Sequence, residues 1–414
     1  MRCSDGPAPR IADPYLVVIN IPSAVSANSV QLTELWAKDL EQHLAVIDNL
    51  LLACPVQHRV ATPEERPVRA PGRDPAFVLV PLPDASSTLA ALLVLPRTVE
   101  RLWTAVGRAR IVHCAVAGWP IPLGWLAAAL ARIRHRFLIV TVESTYWRDA
   151  RDGRMGLKFH IRRAVFEWMA RWCVRRADLA FYAHRGYERD FPARNSECGH
   201  VVPASWVDAE NVRSLSEVRA DWEAKISVQG PFRVLFVGKL IRQKGVRELL
   251  RATDLLRQRG VPVTLDIFGD GELRAECVQA CDASRGTIRY RGTLPYGQSF
   301  FNALREGDVL VVPSLSDEQP RVVYDAYSQG IPVIASRTPG LADCVQDGIT
   351  GTLVPSGNVV ALADAVQRFV VNREALVPLA VRASEVAKSL THASTHALRA
   401  RIIERCLQSR MSSR

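Results

Sequence analysis

Between residues 232 and 371, short apolar runs alternate with amphipathic helical patterns, save that IPVIAS and GTLVP are successive strands: FRVLFVG, VRELLRATDLLRQRG, VTLDIFG, ELRAECVQACDA, TIRYRG, QSFFNALREG, DVLVVPS, PRVVYDAYSQG, IPVIAS, GTLVP and VVALADAVQRFVV. The strand-like runs are apolar on both sides, as strands are when both faces of their sheet are covered. VRELLRATDLLRQRG is apolar at Val246, Leu249, Leu250 and Leu256 and stops at Gly260, so it reads as an amphipathic helix. Strands alternating with helices require a parallel sheet, because parallel neighbours need a long crossover and the helix is that crossover. The N-terminal half repeats the style less regularly, with strands expected at YLVVINI, LLLACPV, AFVLVPL, ARIVHCA, RFLIVTVES and ADLAFYA.

Two such halves predict an α/β chain of two Rossmann-like domains whose parallel sheets face each other across a ligand cleft. The expected organisation is an N-terminal domain over 1–204, a polar connection over 205–230 and a C-terminal domain over 231–384. A C-terminal helix over 385–414 is expected to pack back on the N-terminal domain.

Composition narrows the class. With 48% hydrophobic and 23% charged residues the chain is globular rather than disordered. The N-terminus MRCSDGPAPRIADP has no apolar segment of a cleavable signal. The longest uncharged stretch, Ile111 to Ala131, contains Gly118, Pro120, Pro122 and Gly124, so strand, loop and helix start are expected there rather than a membrane span. Nine cysteines without a Cys-x-x-Cys pair point to free thiols in a reducing cytoplasm and to no structural zinc. A net charge of +11 suits nucleic acid, an anionic membrane or a phosphorylated ligand, and equally a generally basic surface. No nucleic-acid-binding module is present, so no nucleic-acid partner is expected.

A Walker loop, a His-Glu-x-x-His pair, a metal-holding Asp-x-Asp pair and a Gly-x-Gly-x-x-Gly fingerprint are all absent. What remains is FVGKLIRQKGV, in which a strand ends at Gly238 and Lys239 and Lys244 follow in one short loop before a helix. Cations and helix N–H groups at a strand's C-terminal edge are placed to meet phosphate; solvated surface lysines are the alternative. In SLSDEQPRVVYDAYSQG, Asp317 lies in the loop after another apolar strand, Pro320 suits a first helical turn, and Asp325 lies one to two turns inside. Backbone N–H groups around Glu318 to Val322 can hold a diphosphate or a sugar, while carboxylates accept from hydroxyls and repel phosphate. Lysines for phosphates and carboxylates for hydroxyls describe a nucleotide-sugar pocket. A helix-capping aspartate with another on an exposed face is the alternative.

Over residues 230 to 370 the chain resembles the retaining glycosyltransferases of family 4, which have the GT-B fold. FVGKLIRQKG is similar to the family's phosphate loop, GDGE to its Gly-Asp-Gly turn, and IRYRG to the strand beside its base pocket. PSLSDEQPRVVYDAYSQGIPVIAS is similar to its two-glutamate signature, and TPGLADCVQDGITGTLV to the family's stretch C-terminal to that signature. The resemblance implies that Gly238, Lys239 and Lys244 meet the donor diphosphate, that Asp317 holds hydroxyls of the transferred sugar, and that Asp325 holds the ribose. It also implies that the chain from Glu318 through Gln319, Pro320, Arg321 and Val322 touches sugar and phosphate, and that the backbone near Arg291 faces the base. Lys239, Lys244 and Asp317 are then the catalytic candidates.

The expected function is metal-independent transfer of a hexosyl group, with retention, from a UDP- or GDP-sugar to a glycan or lipid-linked acceptor in cell-surface polysaccharide synthesis, with no cofactor. The expected location is cytoplasmic, on the inner face of the membrane. A non-catalytic nucleotide-sugar-binding protein and a nucleotide-sugar epimerase are the rivals. Both signature glutamates are aspartates here, Glu318 replaces a glycine, and Lys239 replaces an arginine, losing bidentate geometry but not charge.

The N-terminal half resembles the family in outline only. NIPSAVSANSV replaces a glycine-rich loop, His113 fits the first of two histidines, Ala115 replaces the second, and Glu143 stands where a histidine is common. Glu143 is read either as a group orienting an acceptor hydroxyl, and so a fourth catalytic candidate, or as a structural acceptor; His113 is read as a core residue. Between Arg148 and Arg176, nine Lys or Arg against three acids interleave with Phe159, Phe166, Trp168, Met169 and Trp172. That pattern suits an anionic membrane surface, or a domain helix with a solvated basic face.

Overall fold

The computed structural model describes residues 8–26, 29–62, 64–69, 77–148, 156–228, 230–316 and 320–412. The chain forms two compact units, Met1–Pro203 with Ala393–Arg414, and Ala204–His392.

The first unit holds β1 (Tyr15–Val18), β2 (Ser23–Ser26), β3 (Ser29–Thr33), β4 (Leu50–Gln57), β5 (Glu65–Pro67), β6 (Val78–Pro83), β7 (Ile111–Ala115), β8 (Phe137–Val142), β9 (Leu179–Tyr182) and β10 (Gly199–Val201). The parallel sheet runs β6-β4-β1-β7-β8-β9-β10. Its order reverses between β1 and β7, the position where open parallel sheets leave a crevice at their C-terminal edge. The polar strands β2, β3 and β5 form a small extension beside β4 that the sequence pattern does not predict.

Side chains of one parity, such as Leu16, Val18, Val112, Leu138 and Val140, face the helices Leu95–Arg108, Leu123–Ile133 and Leu157–Arg176. Those of the other parity, such as Tyr15, Val17, Ile111, Ile139 and Phe181, face the helices Glu34–Val46 and His392–Ser412. The C-terminal helix therefore supplies half of one cover: Ala400, Ile402 and Ile403 are buried in the same cluster as Ile111, Phe137 and Leu179. Chain order ends in the first unit because its sheet has an uncovered apolar strip that the 392–412 helix fills.

The second unit holds β11 (Phe232–Val237), β12 (Val263–Phe268), β13 (Ile288–Gly292), β14 (Val309–Val312), β15 (Val333–Ser336) and β16 (Gly351–Val354). They form one parallel sheet in the order β13-β12-β11-β14-β15-β16. Its order reverses between β11 and β14. The 205–230 stretch, expected as a connection, contains the helix Leu215–Ser227, opened by a Ser214–Glu217 capping box. Val218 and Trp222 of this helix enter the core, and Trp222 Nε1 donates to the Gly330 carbonyl (2.8 Å). Two buried positions on an otherwise polar helix leave too little periodicity to read. The uncharged 111–131 stretch is strand, loop and helix, and no described helix is long and apolar enough to cross a membrane.

A histidine cluster ties the C-terminal helix to this core. His113 is buried, with the Tyr15 hydroxyl 2.9 Å from Nδ1 and Thr141 Oγ1 2.7 Å from Nε2. His396 Nε2 lies 3.1 Å from Asp39 Oδ1, and the His43 and His396 rings stand 4.6 Å apart. Burial, then the neighbouring His43 and Arg399, holds His113 well below the usual 6.5. Burial and His43 lower His396 to about 3, against the opposing pull of Asp39. These imidazoles stay neutral in the fold while unfolded ones, near 6.5, take up a proton, so their contribution is full above that pH and is lost as pH falls toward about 3. In urea denaturation of the full chain, His396 should account for roughly 3 kcal/mol of the stability lost between pH 7 and pH 4. The His396→Gln variant should show a shallower dependence; an unchanged slope would exclude the cluster as its source.

Candidate functional site

The two loops singled out from the sequence leave the sheet of the second unit at its reversal point. One follows β11 and carries Gly238, Lys239 and Lys244; the other follows β14 and runs from Pro313 toward Val322. Parallel strands deliver both loops to the same C-terminal edge, and the main chain then joins them. The Leu315 N–H donates to the Gln243 carbonyl at 2.8 Å. Gly245 has φ +70°, and a Cβ there would lie 1.9 Å from the Pro313 carbonyl oxygen, so only glycine fits this approach.

The loop after β12 is held in the same way. Gly238 N–H donates to the Phe268 carbonyl (3.0 Å), Leu240 N–H to that of Asp270 (2.9 Å), and Leu273 N–H back to that of Leu240 (2.9 Å). A Cβ on Gly269, at φ +143°, would lie 1.8 Å from the Gly238 carbonyl oxygen. Gly269 N–H donates to the Gly292 carbonyl (2.7 Å), which brings the end of β13 into the same layer.

Lys239 is exposed and Lys244 half-buried on this edge. Asp317, Glu318 and Gln319 lie outside the described residues. Pro320 is buried just ahead of the helix Val322–Ser328, and its carbonyl accepts from the Val323 N–H (3.2 Å). Arg321 lays its guanidinium over the Trp206 ring, 3.9 Å from the centroid. Arg291 is exposed, but its Nε donates to Asp266 Oδ1 (2.8 Å), and Arg289 takes the other oxygen at 2.5 Å.

Asp325 lies in the first turn of its helix and is buried, which removes the exposed-face alternative. The Tyr296 hydroxyl donates to its Oδ1 at 3.0 Å and also reaches the Trp206 carbonyl at 3.2 Å. Burial and the facing carboxylate both push the Tyr296 phenol far up, so it remains a donor. Tyr296 and Trp206 escape sequence reading because each meets its partner only through the tertiary fold.

In the first unit, the matching reversal point is fastened by Asn20. Its Nδ2 donates to the Ile121 carbonyl (3.1 Å), and its Oδ1 accepts from the Leu123 N–H (2.9 Å). Glu143 stands exposed at the end of β8 with Arg399 of the C-terminal helix 3.6 Å away, a pairing invisible at a separation of 256 positions in sequence (399 minus 143). His113 is a core residue of β7, buried beneath the sheet's other face cover.

Two family models match the chain: glycosyl transferases group 1 over residues 231–372 and a glycosyl transferase 4-like domain over residues 49–204. Among curated relatives, the alpha-D-kanosaminyltransferase of Streptomyces kanamyceticus is 23% identical over 67% of this chain and 72% of its own length. The amylovoran biosynthesis glycosyltransferase AmsK of Erwinia amylovora is 29% identical over 42% of this chain and 45% of its own. Among solved structures, Anabaena HepE in complex with UDP-glucose superposes with a TM-score of 0.64 at 16% identity, over 96% of this chain and 100% of that one, a likeness of fold. One family model falls on each of the two parallel-sheet units, and the chain belongs to the group 1 glycosyltransferases of GT-B fold.

Proposed function

We propose that this protein is a retaining, metal-independent hexosyltransferase that moves a sugar from a UDP- or GDP-sugar to a hydroxyl of a glycan or lipid-linked acceptor. Its role would lie in cell-surface polysaccharide synthesis at the cytoplasmic side of a membrane. The observation that carries this reading is the main-chain joint between the Lys239–Lys244 loop and the loop after β14. It brings the Lys239–Lys244 loop and the start of the loop after β14 to one edge of one sheet. The UDP-glucose of the HepE complex and the amylovoran biosynthesis named for AmsK support the donor class and the pathway type.

In this reading the C–O bond between the anomeric carbon and the diphosphate breaks, the acceptor oxygen bonds to the same face of the sugar, and the acceptor's proton passes to the departing diphosphate oxygen. Negative charge grows on the departing diphosphate, where Lys239 and Lys244 act most strongly if water is excluded. Asp317 orients sugar hydroxyls. Asp325 meets the ribose hydroxyls, with its Oδ1 oriented by the Tyr296 hydroxyl. Glu143, steadied by Arg399, orients the acceptor hydroxyl. A second reading, donor binding without transfer, is favoured by Ala115, which ends β7 where the family's second histidine is expected and has no side-chain hydrogen-bonding group. Donor consumption that depends on an added acceptor separates the two, and inversion at the product's anomeric carbon would overturn retention.

Lys244→Ala should weaken nucleotide-sugar binding by roughly 10- to 100-fold, the worth of a charge-assisted contact to phosphate, while leaving the fold intact; unchanged calorimetric affinity would remove the lysine from the site. Asp317→Asn should instead slow turnover while leaving the affinity for free UDP or GDP within about threefold. Loss of nucleotide binding with normal turnover at saturating donor would contradict its assignment to the sugar.

Gly245→Val should separate the two loops, since the side chain is strained at this φ and collides with the Pro313 carbonyl. The expected result is a stability loss of about 2–4 kcal/mol and no measurable donor binding. A variant that melts and binds like the parent would show that the joint is dispensable.

A further inference from the structure

The helix Leu157–Arg176 has two apolar faces. Phe166, Ala170, Cys173 and Val174 are buried in the core of the first unit. At 3.6 residues per turn, the opposite side is the line through Leu157, Ile161, Val165 and Trp168, spaced i, i+4, i+8 and i+11. A surface helix ordinarily carries charge on that line. Here the four side chains are 75, 55, 47 and 63% exposed. Of the aromatic and methionine residues that the sequence marks, Phe166 is core, Met169 and Trp172 pack against the core, Phe159 is half-buried, and only Trp168 faces outward. The outward line is thus mostly aliphatic.

Cations border it. Lys158, Arg171, Arg175 and Arg176 are exposed along or beside it, and Arg162 and Arg163 lie further round the helix, which carries a single acid, Glu167. That carboxylate is already engaged by Arg148 (2.5 Å), Trp147 Nε1 (3.2 Å) and Arg171 (3.3 Å). β8 and β9 are parallel neighbours, so the crossover helix between them begins at the sheet's C-terminal edge. Leu157 and Ile161 therefore lie toward the edge that carries Glu143.

We propose that this face docks the protein on an anionic phospholipid bilayer. The apolar line enters the boundary between headgroups and acyl chains, and the flanking lysine and arginines meet lipid phosphates. A second copy of the chain fits the face poorly, because pairing it with itself brings two sets of four cations together, whereas anionic headgroups neutralise them. An apolar line would stay unmatched against a nucleic-acid backbone. The proposal stands on this surface alone and holds whichever donor or acceptor the enzyme uses.

The test is sedimentation of the full chain with vesicles of phosphatidylcholine alone and of phosphatidylcholine with phosphatidylglycerol, alongside sizing of the vesicle-free protein. The protein should pellet with the phosphatidylglycerol vesicles only, less so as salt is raised. Ile161→Ser/Trp168→Ser should melt like the parent, because both sites are exposed, and bind about tenfold or more weakly. Lys158→Gln/Arg175→Gln should lose roughly fivefold per charge, and Arg251→Gln/Arg257→Gln in the second unit should change nothing. Equal pelleting with both vesicle types, or pelleting with neither, would overturn the proposal. So would a serine variant that turns a dimer into a monomer while pelleting like the parent.

Discussion

Everything at the candidate site depends on two loops meeting where the sheet of the second unit reverses its order. The constraint is steric as much as topological. Parallel strands bring the chain after β11 and after β14 to one edge, but loops of this length would diverge without a joint. The joint is a peptide N–H at Leu315 on a carbonyl at Gln243, with Gly245 pressed against Pro313 closely enough to exclude any side chain. A single backbone hydrogen bond is worth only about 0.5–1.5 kcal/mol. Its effect here is positional: it holds the start of the loop after β14 against the Lys239–Lys244 loop.

The first unit repeats the logic with different parts. Its reversal point between β1 and β7 is fastened by the Asn20 side chain together with a glycine contact, since a Cβ on Gly124 would lie 1.9 Å from the Ala115 carbonyl oxygen. Its second face is completed only by a helix from the far end of the chain. The Asp39–His396 contact and the burial of Ile402 and Ile403 make that helix part of the core. Through Arg399 the same helix also reaches Glu143. The residues that close the fold and those that frame the candidate acceptor side are consequently adjacent, which couples stability to the geometry of that edge.

How much of this is legible in the sequence depends on what each residue's job looks like locally. The strands of the parallel sheets are legible, because double-sided burial writes itself as unbroken apolar runs such as VLVV and VIAS. Strands β2, β3 and β5 are not, because SAVS, SVQLT and ERP are short and polar and lie beyond the hydrophobic sheet. The helix Leu215–Ser227 escapes notice because only two of its positions are buried. Lys239, Lys244 and Asp325 stand out as candidates from their place after a strand, but the Tyr296–Asp325 bond spans 29 positions and has no local pattern. The 157–176 helix shows the limit most plainly: its composition reveals basic and aromatic character, but only the fold tells that Phe166 points inward while Leu157, Ile161 and Val165 point out.

The central claim is that a diphosphate seats between the Gly238–Gly245 loop and the loop after β14. A crystal structure of the protein with UDP or GDP tests it directly. Phosphate oxygens are expected within about 3 Å of the Lys244 ammonium, with the nucleoside directed toward Asp325 and the end of β13. Nucleotide bound elsewhere, with that edge filled only by solvent, would contradict it.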